Sequence, residues 1–156
     1  GAISQIKHLW LTAAHCLTVP DLWIDGEPAL VVAVSQEKDL AILYTPTLEP
    51  HRLLKISKNN PSYQDKVEAA GFPMGLGPVV TRGEVLLAYA PVPEMGKQYI
   101  IMNLLSCKGN SGSPVVNSKG EVISVLQIIF SRDDVCSSLS GGVTYQDLIQ
   151  FLAPFR

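Results

Sequence analysis

Three short segments hold residue types that together support acyl transfer. Residues 11–16 (LTAAHC) end an apolar run on His15, residues 38–43 (KDLAIL) open another with Asp39, and residues 107–114 (CKGNSGSP) set Ser111 between glycines ahead of a third. Each alone has a plain reading: a structural histidine, a strand-edge carboxylate and a tight turn. In chain order His, Asp, Ser, they supply the three roles that a serine nucleophile requires. A serine hydroxyl is a poor nucleophile at neutral pH, so it needs a base within hydrogen-bond reach. That base in turn needs a third group to fix its tautomer and stabilise the imidazolium. His15 is the candidate base, Asp39 its orienting partner and Ser111 the nucleophile. The order matches one of the three convergent versions of this constellation and excludes the other two. The glycines around Ser111 also let backbone N–H groups approach a ligand closely.

The elements that must position these residues read as strands. Short runs rich in Val, Ile, Leu and Tyr recur between Gly, Pro, Asn and Asp clusters, predicting strands over 3–6, 9–12, 29–34, 40–44, 67–71, 78–90, 98–104, 114–117, 121–130 and 141–144. Near the C-terminus Asp147 is placed to cap a short helix in which Leu148, Ile149, Phe151 and Leu152 crowd one side. Residues 45–66 are polar and carry Pro46, Pro50 and Pro61, which predicts a connection between two strand-rich halves with a boundary near residue 57.

The composition suits such a domain. With 156 residues, 47% hydrophobic and 17% charged, the chain falls among compact globular domains rather than disordered segments. Twelve Lys and Arg stand against fourteen Asp and Glu with no block of either sign, so the electrostatic footprint of a nucleic-acid or anionic-membrane binder is missing. The longest apolar run, residues 85–92, contains Pro91 and is too short to cross a bilayer, and no basic stretch followed by an apolar one opens the chain, so no signal peptide is expected in it. Cys16, Cys107 and Cys136 have no metal-ligand spacing; they allow one disulfide plus a thiol, or three reduced thiols. His8 and His51 read as surface residues. The chemistry proposed for His15, Asp39 and Ser111 needs no metal and no cofactor.

These segments resemble the motifs of the trypsin/chymotrypsin-like serine proteases, and the similarity covers nearly the whole chain. LTAAHC matches the family's histidine motif residue for residue, DLAIL looks like its aspartate motif, and GNSGSP is its serine motif with Ser113 where Gly is commoner. Residues 70–77 (AGFPMGLG) with 80–85 (VTRGEV), and 114–117 (PVVN) running on through 119–123 (KGEVI), resemble the bacterial Deg-type branch. Cys136 and residues 141–145 (GGVTY), leading into the helix, are similar to the trypsin branch. The resemblance implies an all-β fold of two packed six-stranded antiparallel barrels with a short C-terminal helix. Residues 1–56 would carry His15 and Asp39 in the first barrel, and residues 57–156 would carry Ser111 in the second. It further implies an oxyanion hole made by the N–H groups of Gly109 and Ser111, and a protein or peptide as substrate.

The departures matter as much. Asn110 stands where many trypsin-like enzymes carry the Asp that pairs with a freed N-terminus, so activation of that type is not expected. The resemblance places Leu105, Ser106, Leu126, Gln127, Ile129 and Gly142 about the primary specificity pocket, with Leu105 at its base and Ile129 at its mouth. That implies a preference for small or medium apolar side chains. It also implies a Cys107–Cys136 disulfide, which the Deg-type branch lacks, and with it an oxidising setting such as a secreted, periplasmic or virion-borne protein. Cys16 is expected to be unpaired. Only fourteen residues precede His15, so the first barrel is expected to lack its N-terminal strand in this chain, with an additional segment completing it. Two other readings remain: a catalytically silent binding module on the protease fold, and a processing protease of a viral or phage particle.

Overall fold

In the computed structural model, which describes residues 8–18, 20–48, 53–131, 133 and 135–155, the apolar runs become strands. The first half holds β1 (Leu9–Thr12), β2 (Trp23–Ile24), β3 (Glu27–Pro28), β4 (Leu30–Ser35) and β5 (Leu40–Tyr44). The second holds β6 (Lys66–Gly71), β7 (Val79–Val92), β8 (Lys97–Met102), β9 (Ser106–Cys107), β10 (Pro114–Val116), β11 (Val122–Ile129), β12 (Cys136–Ser137), β13 (Ser140–Gly142) and a helix, α1 (Tyr145–Leu152). The strand expected over 3–6 and the histidine at 51 lie outside the described residues.

Among the described residues the first half forms a three-stranded antiparallel sheet in the order β1-β5-β4. The second half closes: β10-β11-β13-β8-β7-β6 form a six-stranded barrel. Closure removes the unpaired edges that an open sheet would leave. The barrel is filled by Val67, Val85, Ile100, Met102, Leu104, Val115, Ile123 and Leu126, all buried. A second cluster sits between the halves, where Leu9, Leu11, Leu40 and Ile42 of the first sheet meet Val122 and Val125 of β11 and Leu148 and Leu152 of α1. This shared core fixes the two sheets against each other. The β5 run Leu-Ala-Ile-Leu is buried on both faces, which is why it reads as continuous rather than alternating apolar.

Two differences from the expected elements have clear causes. Strands β2 and β3 form a hairpin missed in the sequence, although its turn, Asp25-Gly26, carries the positive φ values (48° and 82°) that an Asp-Gly pair supplies at least cost. At the C-terminus Asp147 is not the cap. Thr144 holds that place in extended backbone, its hydroxyl accepting from the Asp147 N–H at 3.3 Å, so the helix starts at Tyr145 and Asp147 lies within its first turn. Along the connection, the Ser57 N–H donates to the Val122 carbonyl, the Val122 N–H donates to the Lys55 carbonyl, and the Tyr145 hydroxyl donates to the Ser57 carbonyl.

Candidate active site

Strand β1 ends at Thr12 and the chain enters a single 3₁₀ turn, Ala14–Cys16, which lifts His15 toward solvent. Asp39 closes the turn between β4 and β5 with φ 53°, a left-handed conformation that Asp tolerates better than most residues. From there it grips the His15 turn at three points. Its carbonyl accepts from the Ala14 N–H at 3.1 Å, its Oδ1 from the His15 N–H at 2.8 Å, and its Oδ2 meets His15 Nδ1 at 2.7 Å. With Nδ1–H committed to the carboxylate, Nε2 is left as the acceptor, the tautomer a general base requires. The hydrogen bond to Asp39 is the main cause holding the His15 pKa above its usual value, outweighing partial burial. Burial alone would raise the Asp39 pKa, but the ring and backbone hydrogen bonds from His15 together overcome it and hold the carboxyl below its usual range.

Ser111 lies in a tight loop between β9 and β10. The Asn110 N–H donates to the Cys107 carbonyl and the Ser113 N–H to the Asn110 carbonyl, each at 3.0 Å, while Gly109 and Gly112 take positive φ values of 98° and 88°. Two contacts bring this loop to the histidine turn. The Cys16 thiol donates to the Ser111 carbonyl at 3.6 Å, and Gly112 packs so closely on Thr12 that a Cβ there would collide with the Thr12 hydroxyl. No hydrogen bond joins Ser111 Oγ to His15 among the described residues; such bonds in free enzymes commonly tighten only when substrate binds. Neither the Gly109 nor the Ser111 N–H is taken by an acceptor among the described residues.

The loop has a support that sequence reasoning overlooked. The Met74 N–H donates to the Lys108 carbonyl, and a Cβ on residue 109 would lie 2.5 Å from the Phe72 carbonyl oxygen. Gly109→Ala is therefore blocked twice, by its φ and by backbone that has no rotamer to yield. With the Gly109 N–H in the oxyanion role that the sequence resemblance implies, we expect a folded protein whose turnover falls about 10²–10³-fold, the usual cost of one lost oxyanion donor, measured as kcat against circular dichroism. The unusual Ser113 is accommodated next door: its hydroxyl lies 2.5 Å from where a Cβ on Gly71 would stand. Asn110 is almost fully buried, its Oδ1 without a hydrogen bond among the described residues.

The residues assigned to the specificity pocket are spread over different environments. Leu105 is 51% exposed and Ile129 half-buried, whereas Leu126 fills the barrel core at 2% exposure. Ser106 is buried with its hydroxyl on the Leu104 carbonyl, and Gly142 lies tight against Ser124 and Val125. The Gln127 side chain turns inward, its amide donating to the Lys38 carbonyl at 2.8 Å and to the Asp39 carbonyl at 3.1 Å. His8 differs from its expected surface place: it precedes β1 in a turn, half-buried, with Nδ1 2.8 Å from the Leu48 carbonyl and its ring edge-on to Tyr44. A cavity of about 660 Å³ opens at the opposite end of the barrel, between Lys66, Glu68, Arg82 and Asn117, and shares no residue with this site.

Residues 2–125 match the family of trypsin-like peptidase domains. The chain belongs to that family. Within it, this trypsin-like peptidase domain is 33% identical over 134 residues to the serine protease HTRA2, mitochondrial, of Bos taurus, an alignment covering 82% of this chain and 28% of the relative. Its fold superposes on the HtrA-type protease AlgW, solved with a decapeptide, at a TM-score of 0.80 and 22% identity, covering 97% of this chain and 50% of that one. It also superposes on the MamO protease domain from Magnetospirillum magneticum at a TM-score of 0.76 and 23% identity, covering 97% of this chain and 86% of that one. The chain thus spans under a third of the curated relative and about half of the AlgW chain.

The peptidase domain carries the expected disulfide. Cys107 and Cys136 face each other across the β9–β12 pair with their sulfurs bonded, 29 residues apart in sequence, and Cys16 is a free, exposed thiol. Cross-linking a loop of that length removes chain entropy from the unfolded state, so replacing both cysteines with Ser is expected to lower stability by about 3–4 kcal/mol. Denaturant midpoints with and without the two substitutions measure this. Among the described residues no helix is long and apolar enough to cross a membrane, and no group of three or more His, Cys, Asp or Glu side chains is placed to hold a metal ion.

Proposed function

We propose that this domain is a serine endopeptidase using Ser111 as nucleophile, His15 as general base and Asp39 as its orienting carboxylate. The observation that carries the reading is the 2.7 Å contact of His15 Nδ1 with Asp39 on a turn that touches the Ser111 backbone. His15 Nε2 takes the Ser111 proton as Oγ attacks a peptide carbonyl, then returns it to the leaving amine. The acyl group left on Ser111 is released by water, with His15 again the base. The Gly109 and Ser111 N–H groups would receive the oxyanion. On this reading residues 1–56 and 57–156 are the two units that meet at the cleft.

The substrate is a protein or peptide. Leu105, being apolar and exposed, favours a small or medium apolar side chain before the scissile bond and disfavours Arg or Lys, which need a carboxylate. Gln127 with its side chain turned inward leaves its backbone edge for strand addition by the substrate. The disulfide favours an oxidising compartment. An active-site-directed phosphonate, followed by mass mapping, tests the chemistry: adduct on the Ser111 peptide supports the enzyme. Folded protein that takes no label would instead favour the silent binding module. Peptide-library cleavage tests the preference, and cutting after Arg or Lys would sink the pocket assignment.

A further inference from the structure

The turn that carries Asp39 is held from behind by the barrel. Lys97, the first residue of β8, sends its Nζ to the Lys38 carbonyl at 2.6 Å, and Gln127 of β11 donates to that same carbonyl and to the next one, of Asp39. Gln127 is 6% exposed, and the Lys97 ammonium is half-buried, 5.5 Å above the Tyr99 ring. Lys38 and Asp39 lie in the first half of the chain, and both donors in the second.

We propose that Lys97, with Gln127 beside it, is a positioning residue for the His15–Asp39 pair: together they clamp the left-handed Asp39 turn through the two carbonyls that flank it, and the Lys97 charge acts on the same pair. The proposal rests on the reading of His15 as the base. Its logic is geometric. Asp39 must keep its left-handed backbone to present one oxygen to the His15 N–H and the other to the ring, and the two carbonyls flanking that conformation are the ones that Lys97 and Gln127 bind. The Lys97 cation also favours the neutral form of His15 and so lowers the pH at which the base becomes available, by less than the Asp39 hydrogen bond raises it. Among the described residues the charged and titratable groups around the pair are few. His15 faces Asp39, with Cys16 on its own turn and Lys97 beyond, while Lys97 faces Asp147 of α1, the Lys38 side chain and Tyr99.

The test is an NMR titration of the His15 ring, assigned by its loss in His15→Gln, in the wild type, Lys97→Met and Lys97→Arg. The expected result is a titration midpoint at higher pH in Lys97→Met and one close to the wild type in Lys97→Arg, with the acidic limb of kcat/KM moving the same way. An unchanged midpoint in folded Lys97→Met overturns the proposal. If that variant does not fold, Lys97→Gln, which keeps a donor for the Lys38 carbonyl without the charge, is titrated in its place under the same criterion. Gln127→Leu is expected to lower kcat about 10- to 100-fold through misplacement of the pair; full activity in that variant removes Gln127 from the clamp. Because the midpoint is read without substrate, the outcome stands apart from the protease reading, which fails only if the wild type neither cleaves peptides nor takes the phosphonate.

Discussion

Replacing Ser111 with Ala is expected to reduce kcat by about 10⁶-fold while leaving the fold intact. The size follows from the role proposed for Ser111. Without the hydroxyl there is no atom for His15 to activate, and the remaining groups can only bind and polarise the peptide, which in comparable sites leaves roughly 10³–10⁴-fold over water. The intact fold follows from the surroundings. Ser111 is half-buried in a turn, its hydroxyl holds no hydrogen bond among the described residues, and the backbone contacts that shape the loop belong to Cys107, Asn110 and Ser113. A truncation there leaves no buried polar group unpaired, so the stability change is expected to stay within about 0.5 kcal/mol. Turnover on a fluorogenic peptide beside a denaturant melt measures both. Residual kcat above about one part in 10³ of the wild type would mean that another residue is the nucleophile.

Replacing Asp39 with Asn comes second, at about 10⁴-fold in kcat. An amide at this position can present its NH₂ to Nδ1, which favours the tautomer that protonates Nε2 and so blocks the base. The pH profile should move as well. In the wild type His15 is held above its usual value chiefly by the Asp39 hydrogen bond, and Asp39 is held below its own because the bonds from His15 outweigh burial. Protonated His15 therefore contributes stability that is complete below the ordinary histidine value, about 6.5, and is lost as pH rises through the raised one. Ionised Asp39 contributes stability present above the ordinary carboxyl value, about 3.9, and lost as pH falls through the depressed one. The ion pair is thus strongest in mildly acidic solution. The proposed catalysis has the opposite demand, since Ser111 as nucleophile needs neutral His15, so the rate should climb only as pH passes the raised histidine value. In Asp39→Asn the residual activity should start its climb at lower pH. An acidic limb that stays in place would separate Asp39 from the titration of His15.

Which of this could be read before any coordinates depended on how local each signal is. The strands around His15, Asp39 and Ser111 announce themselves through apolar runs, and nine of the described strands fall where such runs predict. Cys107 and Cys136 were paired by resemblance and are bonded. The pair of two-residue strands that carries them, β9 and β12, is too short for any periodicity to register. Thr144 and Asp147 are both good capping residues at neighbouring sites, and only the backbone conformation at Thr144 decides between them. The support of Gly109 by Phe72 and Met74, and of Asp39 by Lys97 and Gln127, joins residues 34 to 89 positions apart, with nothing in either segment to name the other. The specificity pocket suffers most from this, because neighbours along β11 face opposite ways: Leu126 into the barrel core and Gln127 toward Asp39.

The spacing of the three site residues has a consequence for how the protein is made. His15 and Asp39 stand 24 residues apart, on turns at the ends of strands of one sheet, whereas Cys16 and the Ser111 carbonyl it touches are separated by 95. A chain emerging N-terminus first can pair the base with its carboxylate early, but closing the long loop to the nucleophile waits for the barrel strands to be synthesised and joined. On the proposed triad, a ribosome-bound or half-folded copy would lack its assembled nucleophile, and cutting power would arrive only with the finished barrel.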